Sequence, residues 1–289
     1  MKETFSTEYV SWATLNSLSK QFFTEEEQKN LLHYFPVNDL AHLAESKTTF
    51  RISHIFSASK AVLSHIHYTW FFPILQKVSQ AEQKLLLSIL PKETSIKLQD
   101  SLSCDMSKLN LHPIMQEFAS TYLMKELLQG ISYLSIETLP QHPLNRLLEL
   151  SSKELKKLII TLGLHDLAID MKKLIRSSIL KALQQSLSPK ELLYLRKLQE
   201  RQENIQLSSL HLDKWDGKGD TLDRLIFMCG INRLTKALYP CHHLLLWNIS
   251  HKLDRSFHST IYSLYTDIKN KRIKEKLIHD ILELLLRTT

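Results

Sequence analysis

Four times the sequence sets a hydroxyl residue three positions ahead of a glutamate at the edge of a leucine-rich stretch: Thr24 with Glu27, Ser79 with Glu82, Ser151 with Glu154, and Ser188 with Glu191. In this capping box the hydroxyl accepts from a first-turn N–H and the glutamate reaches back to the cap residue's own N–H. Two donors that a helix start leaves unpaired are thereby satisfied. The Ser188 copy adds Pro189 at the first helical position, where no N–H is needed. Only five glycines occur in 289 residues, and β-branched residues are scattered rather than alternating. These starts therefore specify an all-α chain.

The helices read as hairpins. "LLHYFPVNDLA" (Leu31 to Ala41) lines up without gaps on "LIITLGLHDLA" (Leu158 to Ala168), with Pro36 against Gly163 and Asp39 against Asp166. "LQQSLSPKELL" (Leu183 to Leu193) and "LLLSILPKETSI" (Leu85 to Ile96) are looser copies. Each is an apolar helix, a breaker, and a second helix with a polar start, which predicts armadillo/HEAT-like stacked helical hairpins in an elongated all-α array. In the 158–168 copy, Leu155, Leu158, Ile159 and Leu162 form one stripe. Gly163 is expected to end that helix with a positive φ. Leu164, Leu167, Ala168, Met171, Leu174 and Ile175 then form the stripe of the next helix. Lys153, Lys156, Lys157, Lys172, Lys173 and Arg176 fall largely off both stripes. Breaks at Glu137–Leu144, with two prolines, and at Leu210–Asp220, with two glycines, divide the chain into an N-terminal helical domain (1–138), a helical-repeat domain (139–210) and a C-terminal helical domain (211–289).

Composition narrows the function classes. The longest apolar runs, such as "WFFPIL", are too short to span a bilayer, so no membrane insertion is expected. The first residues lack the basic-then-apolar form of a secretory signal, and three cysteines make a set that suits a reducing cytosol. Lys and Arg number 13 against 15 Asp and Glu in residues 1–150, 11 against 5 in residues 151–201, and 13 against 10 in residues 202–289. The basic excess thus concentrates where Lys153 begins, as in a contact surface for an acidic partner or nucleic acid. The C-terminal helix adds Lys269, Lys271, Arg272, Lys274 and Lys276 at its start, where cations oppose the macrodipole.

The residues offer little chemistry. Counting from Asp213, "DKWDGKGDTLD" puts Trp215, Gly217 and Lys218 at the third, fifth and sixth positions and so fails as a calcium loop. Asp220 reads instead as a helix cap. Cys229, Cys241, His242, His243 and His251 are irregularly spaced for zinc and read as core cysteines and surface histidines. His65 and His67 fall on different helix faces, and the aromatic run Tyr68 to Phe72 reads as core at a helix junction. No nucleophile elbow, HExxH or glycine-rich dinucleotide motif occurs. No catalytic, cofactor-binding or metal-binding residue is assigned.

From His142 to Leu198 the chain resembles the armadillo-like repeats of the flagellar motor-switch protein FliG, through "LHDLAIDMK" (Leu164 to Lys172) and "LSPKELLYL" (Leu187 to Leu195). The family's Glu-His-Pro-Gln contact motif has its nearest match in Gln141-His142-Pro143-Leu144, which agrees at His and Pro. The hinge motif and the Gly-Gly linker of the family have no counterpart. The resemblance implies a non-catalytic scaffold of a type III secretion apparatus, akin to an SctK-like adaptor of the chlamydial type. Such a protein would be cytoplasmic or peripheral at the inner membrane, binding other ring or sorting-platform proteins and itself. Gln141, His142, Pro143, Leu144, Lys153, Lys156, Lys157, Lys172, Lys173 and Arg176 are then its expected partner-binding residues. The alternative is a helical-repeat nucleic-acid binder using the basic 151–201 surface, although stacking aromatics are not interleaved with the lysines.

Overall fold

A computed structural model describes residues 61–102, 111–129, 139–201 and 205–288, with a few isolated positions outside these ranges. Glu27, most of the Leu31–Ala41 copy, and Cys104 lie outside the described residues. Within them every regular element is helical, and no helix is long and apolar enough to cross a membrane.

The first layer begins with helical residues 61–65 and a 3-10 turn, Tyr68–Trp70. It continues through α1 (Phe72–Leu75), α2 (Gln80–Ile89), α3 (Lys92–Leu102) and α4 (Pro113–Leu128). The Ser79 box forms as expected, with Ser79 N–H donating to Glu82 at 2.8 Å. Leu90 is extended because Pro91 follows it, so α2 and α3 form a true hairpin. Leu63, Phe71, Leu75, Leu87, Leu98 and Leu123 fill this layer's core, and Trp247, far along the chain, completes it.

The remainder is organised by α5 (Ser152–Lys173), α6 (Ser177–Ser186), α7 (Pro189–Glu200), α8 (Gly219–Leu238), α9 (His243–His251), α10 (His258–Leu264) and α11 (Lys271–Thr288). The Ser151 and Ser188 boxes both form, and extended backbone at Leu187 and Ser188 separates α6 from α7. The expected turn at Gly163 does not: α5 runs unbroken through it for 22 residues. The two stripes are real, but they are two faces of one helix. Leu155, Leu158, Ile159 and Leu162 enter one core with α8 and α11, whereas Leu164, Leu167 and Ala168 enter another with Leu183, Leu195 and Leu222. Ile175, read as part of the second stripe, lies beyond the helix end and is 97% exposed. Both cores combine residues from either side of position 210, where the sequence suggested a boundary. Asp220 does not cap α8; Lys218 holds that position, and Asp216 accepts from Lys218 N–H and the Thr221 hydroxyl.

Gly163 stays helical because its missing side chain is used in packing. A Cβ there would stand 1.9 Å from the Ile226 carbonyl oxygen, and one at Gly230 would stand 1.8 Å from that of Ile159. Residue 159 thus faces 230 and 163 faces 226, so α5 and α8 are antiparallel with their backbones in near contact. Helix propensity alone predicts that Gly163→Ala or Gly230→Ala would stabilise by about 1 kcal/mol. Because the obstacle is backbone, each is instead expected to cost about 2–3 kcal/mol, measured by urea unfolding. An unchanged or increased midpoint would show that the two backbones are not so close.

Candidate functional site

The expected partner-binding residues do not form one patch. Lys153, Lys156 and Lys157 occupy the first turns of α5, and Lys172 and Lys173 its last. At 1.5 Å per residue the two groups stand roughly 25–30 Å apart. Lys156 is half-buried, whereas Lys153, Lys157, Lys172 and Arg176 are exposed. Lys172 and Lys173 complement the helix C-terminus. Lys173 also bonds the Gln206 side chain and lies 3.7 Å from Asp170. Gln141 and Pro143 are exposed, but Leu144 is fully buried in the core and offers no contact surface, a correction to its expected role. His142 caps the 3-10 turn Pro143–Leu148, accepting from Leu144 N–H, and its ring lies 3.3 Å from Cys241 Sγ. Lys252 anchors the other end of this turn by donating to the Leu148 and Leu150 carbonyls at 2.5 and 2.6 Å; burial lowers its pKa to about 8. The lysines of α11 are largely paired with carboxylates: Lys271 with Glu275, Lys274 with Asp267, Lys276 with Asp280.

What sequence reasoning missed is a buried polar seam. The segment "HDLAIDMK" turns its acids inward. Asp166 receives Arg233 Nη2 at 2.9 Å and Leu207 N–H at 3.1 Å; Asp170 receives Leu210 N–H at 2.6 Å and the Ser209 hydroxyl. Arg233 is fully buried, also donates to the Ile205 carbonyl, and lies 4.0 Å from Asp280 of α11. His165 contacts the Tyr194 hydroxyl of α7 at 3.0 Å. The seam therefore holds segment 205–210 against α5 and ties α5, α7, α8 and α11 together. Burial pushes Asp166 above the ordinary carboxylate range against the pull of Arg233. The period-four spacing of Asp166 and Asp170 on an apolar helix was the available signal.

The second cluster joins the first layer to α9 and α10. His251 is 2% exposed, stacked between Trp70 at 3.8 Å and Trp247 at 3.9 Å, which corrects its reading as a surface histidine. Three long-range bonds cross the same joint: Trp70 Nε1 to the Leu253 carbonyl, His67 N–H to the His251 carbonyl, and Arg255 N–H to Thr69 Oγ1. Burial pushes the His251 pKa down to about 4. Burial likewise raises the Cys229 and Cys241 thiols to about 12, so neither is a thiolate nucleophile at neutral pH. His279, Asp280 and Glu283 bring ligand atoms within 4.8 Å of one another, but Lys276 and Arg201 already hold the two carboxylates.

One surface stands out. On the first turns of α4, Ile114 is 68% and Phe118 67% exposed, one turn apart, with Met115 beside them. Exposed aromatic and aliphatic side chains at i and i+4 form an apolar helix face of the kind that docks against another protein.

No protein-family model matches the chain, and no curated protein or solved structure matches it.

Arg233→Met, which strands Asp166 in the core, is expected to destabilise by about 3–5 kcal/mol, and adding Asp166→Leu should recover much of that loss. Additive losses in urea unfolding would disprove the pairing. Unfolded His251 takes its proton near pH 6.5, whereas the folded residue resists until about 4. The unfolded state binds more protons between these values, so stability present above pH 6.5 is lost as pH falls. His251→Phe, which keeps the ring stack, should remove roughly 3 kcal/mol of that loss between pH 6.5 and 4. Equal pH dependence of the two proteins would reject the assignment.

Proposed function

We propose that the chain is a non-catalytic helical scaffold that binds other proteins, with the exposed apolar face at Ile114 and Phe118 as its principal contact. That face is the observation that carries the reading. Side chains so placed gain most when a partner removes them from water, and aromatic anchors dominate protein contacts. The exposed charges at the two ends of α5, with Gln141 and Pro143, would supply polar contacts at the edge of such an assembly. The likeness of His142 to Leu198 to the motor-switch repeats suggests a type III secretion apparatus as the assembly, with the chain as an armadillo-like adaptor at the cytoplasmic face of the inner membrane. The nucleic-acid alternative requires a continuous cationic track, and the separation of the α5 lysines into two groups counts against it.

The test is affinity purification from cells that build such an apparatus. Its components should co-purify with the unaltered chain and fall by about 10-fold with Ile114→Ser/Phe118→Ser, a change to solvent-facing side chains that leaves the melting temperature unaltered. Recovery of nucleic acid in a salt-dependent manner, without secretion components, would overturn the proposal.

A further inference from the structure

A cleft of about 530 Å³ opens at the joint between the first layer and α9–α10. It meets three elements: Trp70 and Lys77 on one side, Glu126 near the end of α4 on another, and His251, Arg255 and His258 on the third. Its volume falls within the range of small-molecule sites, and junctions between packed layers are where such sites recur.

The lining has three kinds of group. The aromatic wall is rigid: Trp70 stacks on His251, and His258 meets the Trp70 ring edge-on at 5.0 Å. Such a wall accepts a planar ring. Hydrogen-bond acceptors come next. His251 Nδ1 lies 2.8 Å from the Trp247 carbonyl oxygen and must donate its proton there, which leaves Nε2 a lone-pair acceptor. That atom is buried and has no hydrogen-bond partner among the described residues, and the same holds for His258 Nδ1. A buried acceptor without a partner is costly, and a donor from a ligand would relieve it. Glu126, near the end of α4, adds a carboxylate to the lining. Finally, Lys77 and Arg255 provide cations on two walls. No catalytic arrangement accompanies these groups.

We infer that this cleft binds a planar amino-substituted heteroaromatic that carries an anionic group, the chemistry of a purine nucleotide. The ring lies along the Trp70–His258 wall, its N–H groups face the imidazole and Glu126 acceptors, and its anion lies toward Arg255 and Lys77. The bound molecule bridges the first layer and α9–α10. The site is independent of the apolar face on α4, so either can fail without the other.

AMP, adenosine and inorganic phosphate separate the contributions of ring and charge. Titrated at low salt against the full-length chain, with tryptophan fluorescence and the melting temperature as readouts, AMP is expected to bind at least about 10-fold more tightly than adenosine or phosphate alone. Arg255→Glu should abolish that advantage and leave adenosine binding unchanged, because only the backbone N–H of Arg255 bonds Thr69. His258→Phe should weaken AMP and adenosine alike. Equal binding of phosphate and AMP would overturn the proposal, as would AMP binding insensitive to Arg255→Glu or no response to any of the three probes.

Discussion

The structure depends on two glycines that let α5 and α8 touch. Gly163 and Gly230 each face the backbone of the opposite helix, and no side chain fits at either place. The close crossing lets a 22-residue helix run through the middle of the molecule, with nine consecutive residues, 162–170, buried. A helix buried on every side must find partners on every side. The apolar stripes find two separate cores, one at each end of the crossing, and the polar positions find Arg233, Tyr194 and the 205–210 segment.

This explains which parts of the fold were legible in the sequence. Capping boxes specify local geometry, and those at Ser79, Ser151 and Ser188 are all present as read. Breaks at Pro91 and Pro189 were legible because proline lacks an N–H and clashes with the preceding turn. Glycine carries a weaker message. It lowers helix propensity by about 1 kcal/mol, which a tight crossing more than offsets, so the breaker at Gly163 was misread as a turn. A single sequence does not say which of two glycines 67 positions apart will meet the other helix. For the same reason the repeat alignment matched a hairpin at residues 85–96, a helix break at residues 183–193 and a continuous helix at 158–168.

The site was less legible than the fold. Lysines can be counted from sequence, but their separation by the length of α5 cannot be seen until the hairpin is replaced by one helix. The period-four spacing of the acidic residues in "HDLAIDMK" does not name their partners, which come from Leu207, Leu210 and Arg233, distant in sequence. His251 was invisible for a related reason: its environment is made by Trp70, some 180 residues earlier. Local spacing does not identify partners supplied from so far along the chain.

That last separation has a consequence for how the chain is made. Trp70 donates to the Leu253 carbonyl across 183 residues, an unusually distant contact for a helical protein. At synthesis rates of about 5–20 residues per second, Trp70 waits roughly ten to forty seconds before Leu253 exists to receive it. During that interval Trp70 and the core that Trp247 completes lack their cover. The molecule's most exposed moment therefore comes while it is still on the ribosome.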